Sequence, residues 1–221
     1  MMLPGNRRAA ISFTFDDGSQ SHVDVALPLF EEFGLKATFF VIAGLTRERK
    51  RDPLPAGRSR KWWAEVSWEE WRDVARRGHE IGNHSLTHPV LPRVHDRRKL
   101  ESEIFDSARI IEERVGQRPV SFAFPYNKSN ARVQQLVVSH HQAVREQQVR
   151  YGGKGFTAQR ANRLVDRALR KGLWLVPMIH GVGGGFDPLD PVVLRRHLQY
   201  IRERESELWV DTFGSVSRLS A

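Results

Sequence analysis

Residues 13–22 read FTFDDGSQSH, so the adjacent carboxylates of Asp16 and Asp17 close an apolar run. Neighbouring carboxylates repel, and the pair needs a cationic partner to stay ionised. A partner is suggested by NHSLTH (83–88), where His84 and His88 stand four residues apart. On a helical turn both imidazoles would face one way and share an ion. The motif is not HExxH, because position 85 is Ser. Two histidines on a divalent cation call for an anionic third ligand. One aspartate would bind, and the other, beside the ion, would stay ionised and act as a base. Zinc held by three protein ligands keeps a position for water and lowers its pKa to about 7. The leaving group then needs an acid. His180, in MIHGVGGG (178–185), is a candidate, since imidazole titrates near neutrality and a Gly-rich loop leaves the rim open.

These residues follow a regular alternation of elements. ISFTF (11–15), ATFFVI (37–42), SFAFP (121–125), LWLVPMI (173–179) and ELWVDTF (207–213) read as buried strands. Amphipathic stretches at 23–33, 68–77, 97–115, 159–171 and 191–205 read as helices. Ser67 and Glu70 form a capping-box start, and Gly34, Gly78, Gly116 and Gly172 close helical stretches. Such alternation predicts a mostly parallel sheet covered by helices, as an open sheet or a barrel. Sites in these folds gather at the C-terminal ends of strands. Asp16 and Asp17, His84, Pro125 and Tyr126, and His180 each follow a strand-like run. Four such ends on one rim predict a site.

With 221 residues, 40% hydrophobic and 28% charged, the chain reads as one globular domain, 1–221. It has no cysteine, which excludes disulfides and thiol chemistry. No apolar run approaches the ~20 residues of a spanning helix. No signal peptide is recognised, so the expectation is a cytoplasmic protein as the chain stands, or a secreted one if a leader has been removed. The net charge of +9 suits anionic partners, although acids interleave the basic residues along 97–114. The denser cluster TRERKRDPLPAGRSRKWW (46–63) ends in Trp62 and Trp63, which could stack on a sugar or base, or pack locally.

TFDDG (14–18), HSLTH (84–88), FAFPYN (122–127) and LVPMIH (175–180), in this order, resemble the signature segments of the polysaccharide deacetylases, the NodB-like carbohydrate esterases. GHEIGNHSLTHP (78–89) carries the most specific likeness, and the resemblance runs from about residue 9 to the last strand. It implies an α/β fold, a distorted (β/α) barrel with mostly parallel strands. It implies metal-dependent removal of acetyl groups from N-acetylated, or O-acetylated, sugars of a polysaccharide by attack of metal-bound water. Carried over, Asp16 is the general base, Asp17, His84 and His88 hold the metal, and His180 is the general acid. The backbone N–H of Tyr126 would help stabilise the oxyanion. Zinc is the first expectation for the ion, with cobalt, nickel or iron as alternatives. The implied partner is a carbohydrate, with an acidic or cell-wall glycan suiting the charge; nucleic acid is not expected.

The chain departs from this pattern in places. Many relatives carry an arginine, which orients the catalytic aspartate, where this chain has Ala123. Another cation must then fix Asp16, with Arg145 or Arg150 in VREQQVRYGGKGF as options. The Asp–Trp segment that tunes the catalytic histidine is missing, leaving Asp166, Asp187 and Asp190 to be considered. Asn127 stands where Gly is common. Competing readings are a metal-dependent hydrolase of non-sugar amides or imides, a glycan- or nucleic-acid-binding protein with weakened catalysis, and a two-His-one-carboxylate Fe(II) oxygenase.

Overall fold

The apolar run 11–15 makes two short strands where one was expected. The computed structural model describes residues 3–55 and 62–219, so residues 56–61 of the basic stretch lie outside the described residues. Its strands are β1 (Ala9–Ile11), β2 (Thr14–Asp16), β3 (Thr38–Val41), β4 (Glu80–Asn83), β5 (Ser121–Ala123), β6 (Ala143–Arg145), β7 (Val149–Arg150), β8 (Trp174–Leu175), β9 (Pro177–Ile179) and β10 (Leu208–Val210). The helices are α1 (Leu27–Glu32), α2 (Trp68–Arg76), α3 (Arg97–Glu101), α4 (Ser107–Val115), α5 (Ala131–Val138), α6 (Ala158–Lys171), α7 (Pro191–Arg202) and α8 (Phe213–Ser217). The chain groups into two compact units. The first holds the residues up to Phe15, Ser21–Thr38 and those from Gln147 onward; the second holds Asp16–Gln20 and Phe39–Glu146.

In the first unit β1 lies between β10 and β8, while β2 pairs with β9 and β9 with β7, all in parallel. The run 173–179 therefore splits as 11–15 does, each passing from one ladder to the next. Ser12 marks the switch. It is fully buried, its N–H donates to the Leu175 carbonyl at 3.0 Å, and its Oγ accepts from Trp174 Nε1 at 3.0 Å. A polar group inside an apolar run is tolerated because it is paired on both counts. Phe30 meets Phe13 and Phe15 edge-on, with ring centroids 5.0 and 5.6 Å apart. Each such pair adds about 0.5–1.5 kcal/mol beyond the area it buries.

The second unit has the strand order β6-β5-β4-β3, with parallel pairing of β4 to β5 and of β5 to β6. Helix α2 starts as its sequence predicts: Ser67 Oγ accepts the Glu70 N–H at 3.4 Å, and the Glu70 carboxylate accepts the Ser67 N–H at 2.9 Å. The stretch 97–115 is helical but not uniform. A wide π-type turn, Ser102–Asp106, separates α3 from α4. Leu91, Leu100, Ile104, Phe122, Val133 and Val137 form a core beneath it. The sequence reading passes over α5, β6 and β7, which are short and bury few side chains. Among the described residues no helix is long and apolar enough to cross a membrane.

Candidate active site

Asp16 ends β2, and the chain then turns through two left-handed residues, Asp17 (φ 75°) and Gly18 (φ 69°). Asp is among the few side chains that enter this region at modest cost. The turn is tied down by backbone bonds from Ala64 N–H to Asp17 O (2.7 Å) and from Glu65 N–H to Gly18 O (2.9 Å). It also gives the two carboxylates different partners. Both are buried, 3% and 4% exposed. Asp16 accepts a two-pronged pair of bonds from Arg145, Nη1 to Oδ1 and Nη2 to Oδ2, each 2.6 Å. Asp17 Oδ1 faces His84 Nε2 at 3.5 Å and His88 Nε2 at 3.3 Å. Burial pushes the Asp17 carboxyl up, but the two imidazoles outweigh it and hold the group below the usual carboxylate range.

The histidine pair does not sit on a helical turn, as its spacing suggested. Residues 84–88 form a loop after β4, with Ser85 (φ 67°) and His88 (φ 62°) left-handed. Side chains, not helix periodicity, set the geometry. Asn83 Oδ1 accepts the Ser85 N–H at 2.9 Å, and Ser85 Oγ accepts the His88 N–H at 3.0 Å. The Glu103 carboxylate, from the π-type turn, accepts the N–H groups of Leu86 (3.0 Å) and Thr87 (2.9 Å) and the Thr87 hydroxyl (2.5 Å). Gly44 closes the loop from another side: its N–H donates to Leu86 O at 2.8 Å, and a Cβ there would lie 2.8 Å from that oxygen. Only Gly allows the approach.

Both rings are thereby aimed. His84 Nδ1 lies 2.8 Å from the Ala123 carbonyl, so it carries the proton and leaves Nε2 a lone pair. The His88 ring lies between Trp63 and Tyr126, with centroids 4.3 and 4.7 Å away. Trp63 is 3% exposed and clusters with Ile42, Leu45 and Ala64, which places it in local packing. His84 Nε2 and His88 Nε2 are 3.1 Å apart. Together with Asp17 Oδ1 they make a triangle with edges of 3.1, 3.3 and 3.5 Å. Three ligands placed tetrahedrally at ~2.0–2.1 Å from zinc would stand about 3.4 Å apart. Asp17 Oδ1 accepts no hydrogen bond from the described residues, which leaves it open to an ion. The donor set fits a divalent metal.

A family model described as polysaccharide deacetylase matches residues 5–144. The chain belongs to the polysaccharide deacetylase family. A peptidoglycan-N-acetylglucosamine deacetylase of Bacillus cereus is 30% identical over 124 residues, 56% of this chain and 48% of that protein. A gellan lyase of a Bacillus species is 30% identical over 121 residues, 55% of this chain and 4% of that protein. The chain thus spans less than half the length of these relatives. Among solved structures, a family 4 acetyl xylan esterase from Clostridium thermocellum, in complex with a cobalt ion, superposes with a TM-score of 0.66 at 19% identity, covering 95% of this chain and 91% of that one. That likeness shows the fold, so the expected α/β class with mostly parallel strands of the polysaccharide deacetylase type is the one adopted.

Against that family pattern, the position of the missing arginine is explained. Ala123 and Arg145 are register partners on β5 and β6, and it is Arg145 that reaches Asp16. The other option, Arg150, pairs instead with Asp187. Tyr126 lies in a 3₁₀ turn, Pro125–Asn127, with a left-handed backbone (φ 58°), and the residue is 45% exposed. A non-glycine residue held there costs on the order of 1 kcal/mol, a strain typical of functional turns.

His180 belongs to the first unit and follows β9. Its carbonyl accepts from His22 Nε2 at 3.0 Å, its ring stands edge-on to Phe186 at 5.3 Å, and its Nδ1 takes no hydrogen bond from the described residues. None of the three candidate carboxylates is drawn on for it. Asp166 accepts from the Tyr200 hydroxyl, Asp187 pairs with Arg150, and Asp190 caps α7 through the Val192 N–H at 2.7 Å. Sequence reasoning missed Glu103 as a loop clamp. Glu103 carries no local signal, being an ordinary acid in an amphipathic stretch. Asn83 was legible in hindsight as an Asx-turn residue directly before the motif.

Proposed function

We propose that the chain is a metal-dependent deacetylase acting on N-acetylated sugars of a polysaccharide, with peptidoglycan-type glycans as the first substrate class. The observation that carries this reading is the open triangle of Asp17 Oδ1, His84 Nε2 and His88 Nε2 beside a second carboxylate locked by Arg145. Asp17, His84 and His88 would hold the ion, zinc first by the tetrahedral spacing. Bound there, such an ion supplies Lewis acidity and lowers the pKa of water to about 7. Asp16 would take up, at a carboxylate oxygen, the proton released by the water molecule that adds to the acetyl carbonyl carbon. The Tyr126 N–H is assigned to the developing oxyanion, and His180 to protonation of the leaving nitrogen, both by their places in the family pattern. The similarity to the B. cereus deacetylase supports an amide-linked acetyl group and a wall glycan. A binding protein with weakened catalysis is the alternative drawn from Ala123 and the 46–63 loop; the Asp16–Arg145 pair supports the catalytic reading over it.

The test uses purified protein with its ion content measured, assayed for acetate release from N-acetylglucosamine oligomers, peptidoglycan and acetylxylan side by side. Asp17→Ala and His84→Ala are expected to lose ion and turnover together. Asp16→Asn is expected to keep the ion and lose activity about 10²–10⁴-fold. Full turnover in Asp16→Asn would refute the base assignment, and retained ion in Asp17→Ala would refute the ligand set.

A further inference from the structure

Arg145 is 2% exposed, and its side chain reaches its partner from strand β6. Burying a guanidinium costs several kcal/mol unless geometry and hydrogen bonds repay it. Here both terminal nitrogens donate to the two oxygens of one carboxylate, Asp16, at 2.6 Å each, and the guanidinium carbon lies 4.9 Å from the centre of the Phe40 ring. A fork engaging both oxygens fixes the plane of the carboxylate as well as its distance, which a single ammonium cannot do. The neighbouring register position is Ala123, fully buried, whose carbonyl is already committed to His84 Nδ1. Paired residues of a parallel ladder project from one face about 4.8 Å apart. A bare methyl at 123 therefore leaves the lateral space through which a long side chain from 145 can pass.

We propose that Arg145 is the positioning residue for Asp16, supplied from β6, and that Ala123 is small in order to admit it. The inference rests on the reading of Asp16 as the catalytic base. It makes positions 123 and 145 alternative sources of one guanidinium, so the two can be exchanged.

The experiment compares Arg145→Lys, Arg145→Ala and the exchange variant Ala123→Arg/Arg145→Ala as ion-loaded enzymes on an N-acetylglucosamine oligomer, with kcat, KM, ion content and Tm measured for each. Arg145→Ala is expected to lower kcat about 10²-fold, with KM and ion content near the starting values. Arg145→Lys is expected to lower kcat by about tenfold, since charge is kept and the fork lost. The exchange variant is expected to recover at least about tenfold of the Arg145→Ala loss. Should Arg145→Ala fail to fold, Arg145→Lys decides the matter through its kcat at unchanged ion content. Unaltered kcat in Arg145→Lys and Arg145→Ala overturns the inference, as does a folded, ion-loaded exchange variant no better than Arg145→Ala. An inactive Asp16→Asn beside unaltered Arg145 variants sinks this inference alone; a fully active Asp16→Asn sinks the assignment of the base.

Discussion

After β4, the residues from His84 to His88 are held by Asn83, Ser85, Glu103 and Gly44, and the His84 ring is pinned through Nδ1 to the Ala123 carbonyl. After β9, the segment Gly181–Phe186 is held at its backbone instead. Leu189 N–H donates to Gly181 O at 2.8 Å, Val182 N–H donates to Ser21 Oγ at 3.1 Å, and a Cβ on Gly181 would fall 2.0 Å from Gly184 O. Among the described residues none hydrogen-bonds the Nδ1 of the His180 ring. A metal ligand must offer one lone pair in one direction, which requires its other nitrogen to be fixed. A proton donor needs no such fixed lone pair. The contrast is between His84 and His180: the first ring is fixed at Nδ1 by the Ala123 carbonyl, while no described residue hydrogen-bonds the second there.

His180→Ala breaks the comparison most sharply. Turnover is expected to fall about 10²–10⁴-fold with the bound ion retained, as checked by acetate release and metal analysis on the same preparation. Loss of ion along with turnover would put His180 among the ligands and end the distinction. A smaller effect is expected at the clamp. Glu103→Gln leaves one of its three donors facing an amide NH₂ in place of a carboxylate oxygen. Ion affinity is expected to weaken about 10–100-fold, read by competition with a chelator, while kcat at saturating ion stays close to the original. Unchanged affinity would show that the loop keeps its shape without Glu103.

Much of this was legible in the sequence. DDG at a strand end and HSLTH after a short strand pointed to the side chains that the structure brings together at Asp17, His84 and His88, and the capping box and glycine caps placed α2, α4 and α6. Those signals are local, because a cap or a turn is written within a few residues. What was not legible acts over long separations. Arg145 lies 129 residues from Asp16, and a two-residue difference between β5 and β6 registers would have sent another side chain there. The HxxxH spacing misled in part for the same reason: a four-residue interval is also met by a loop with two left-handed residues, and the distant Glu103 and Gly44 hold that loop together with the local Asn83 and Ser85.

The subtlest difference concerns a third histidine, behind the clamp. His141 lies in the second unit, and its Nε2 accepts from Asn83 Nδ2 at 3.1 Å while its Nδ1 faces Val137 O at 3.3 Å. That arrangement needs a neutral ring, and burial pushes the imidazole down to about 4. In the unfolded chain the same group titrates near 6.5. Between these values the unfolded state binds the proton and the folded state does not, so stability is full above about pH 6.5 and declines as pH falls toward 4. The expected slope is at most about 1.4 kcal/mol per pH unit, a tenfold change in the folding constant. His141→Gln removes the titrating group, and its urea midpoint should depend less steeply on pH between 6.5 and 4.5 than that of the original chain. Measuring both proteins with chelator present makes His84 and His88 cancel in the difference. Parallel pH slopes would mean that Asn83 is oriented by the Ile104 carbonyl, 3.1 Å from its Nδ2, and that the clamp owes nothing to the ring behind it.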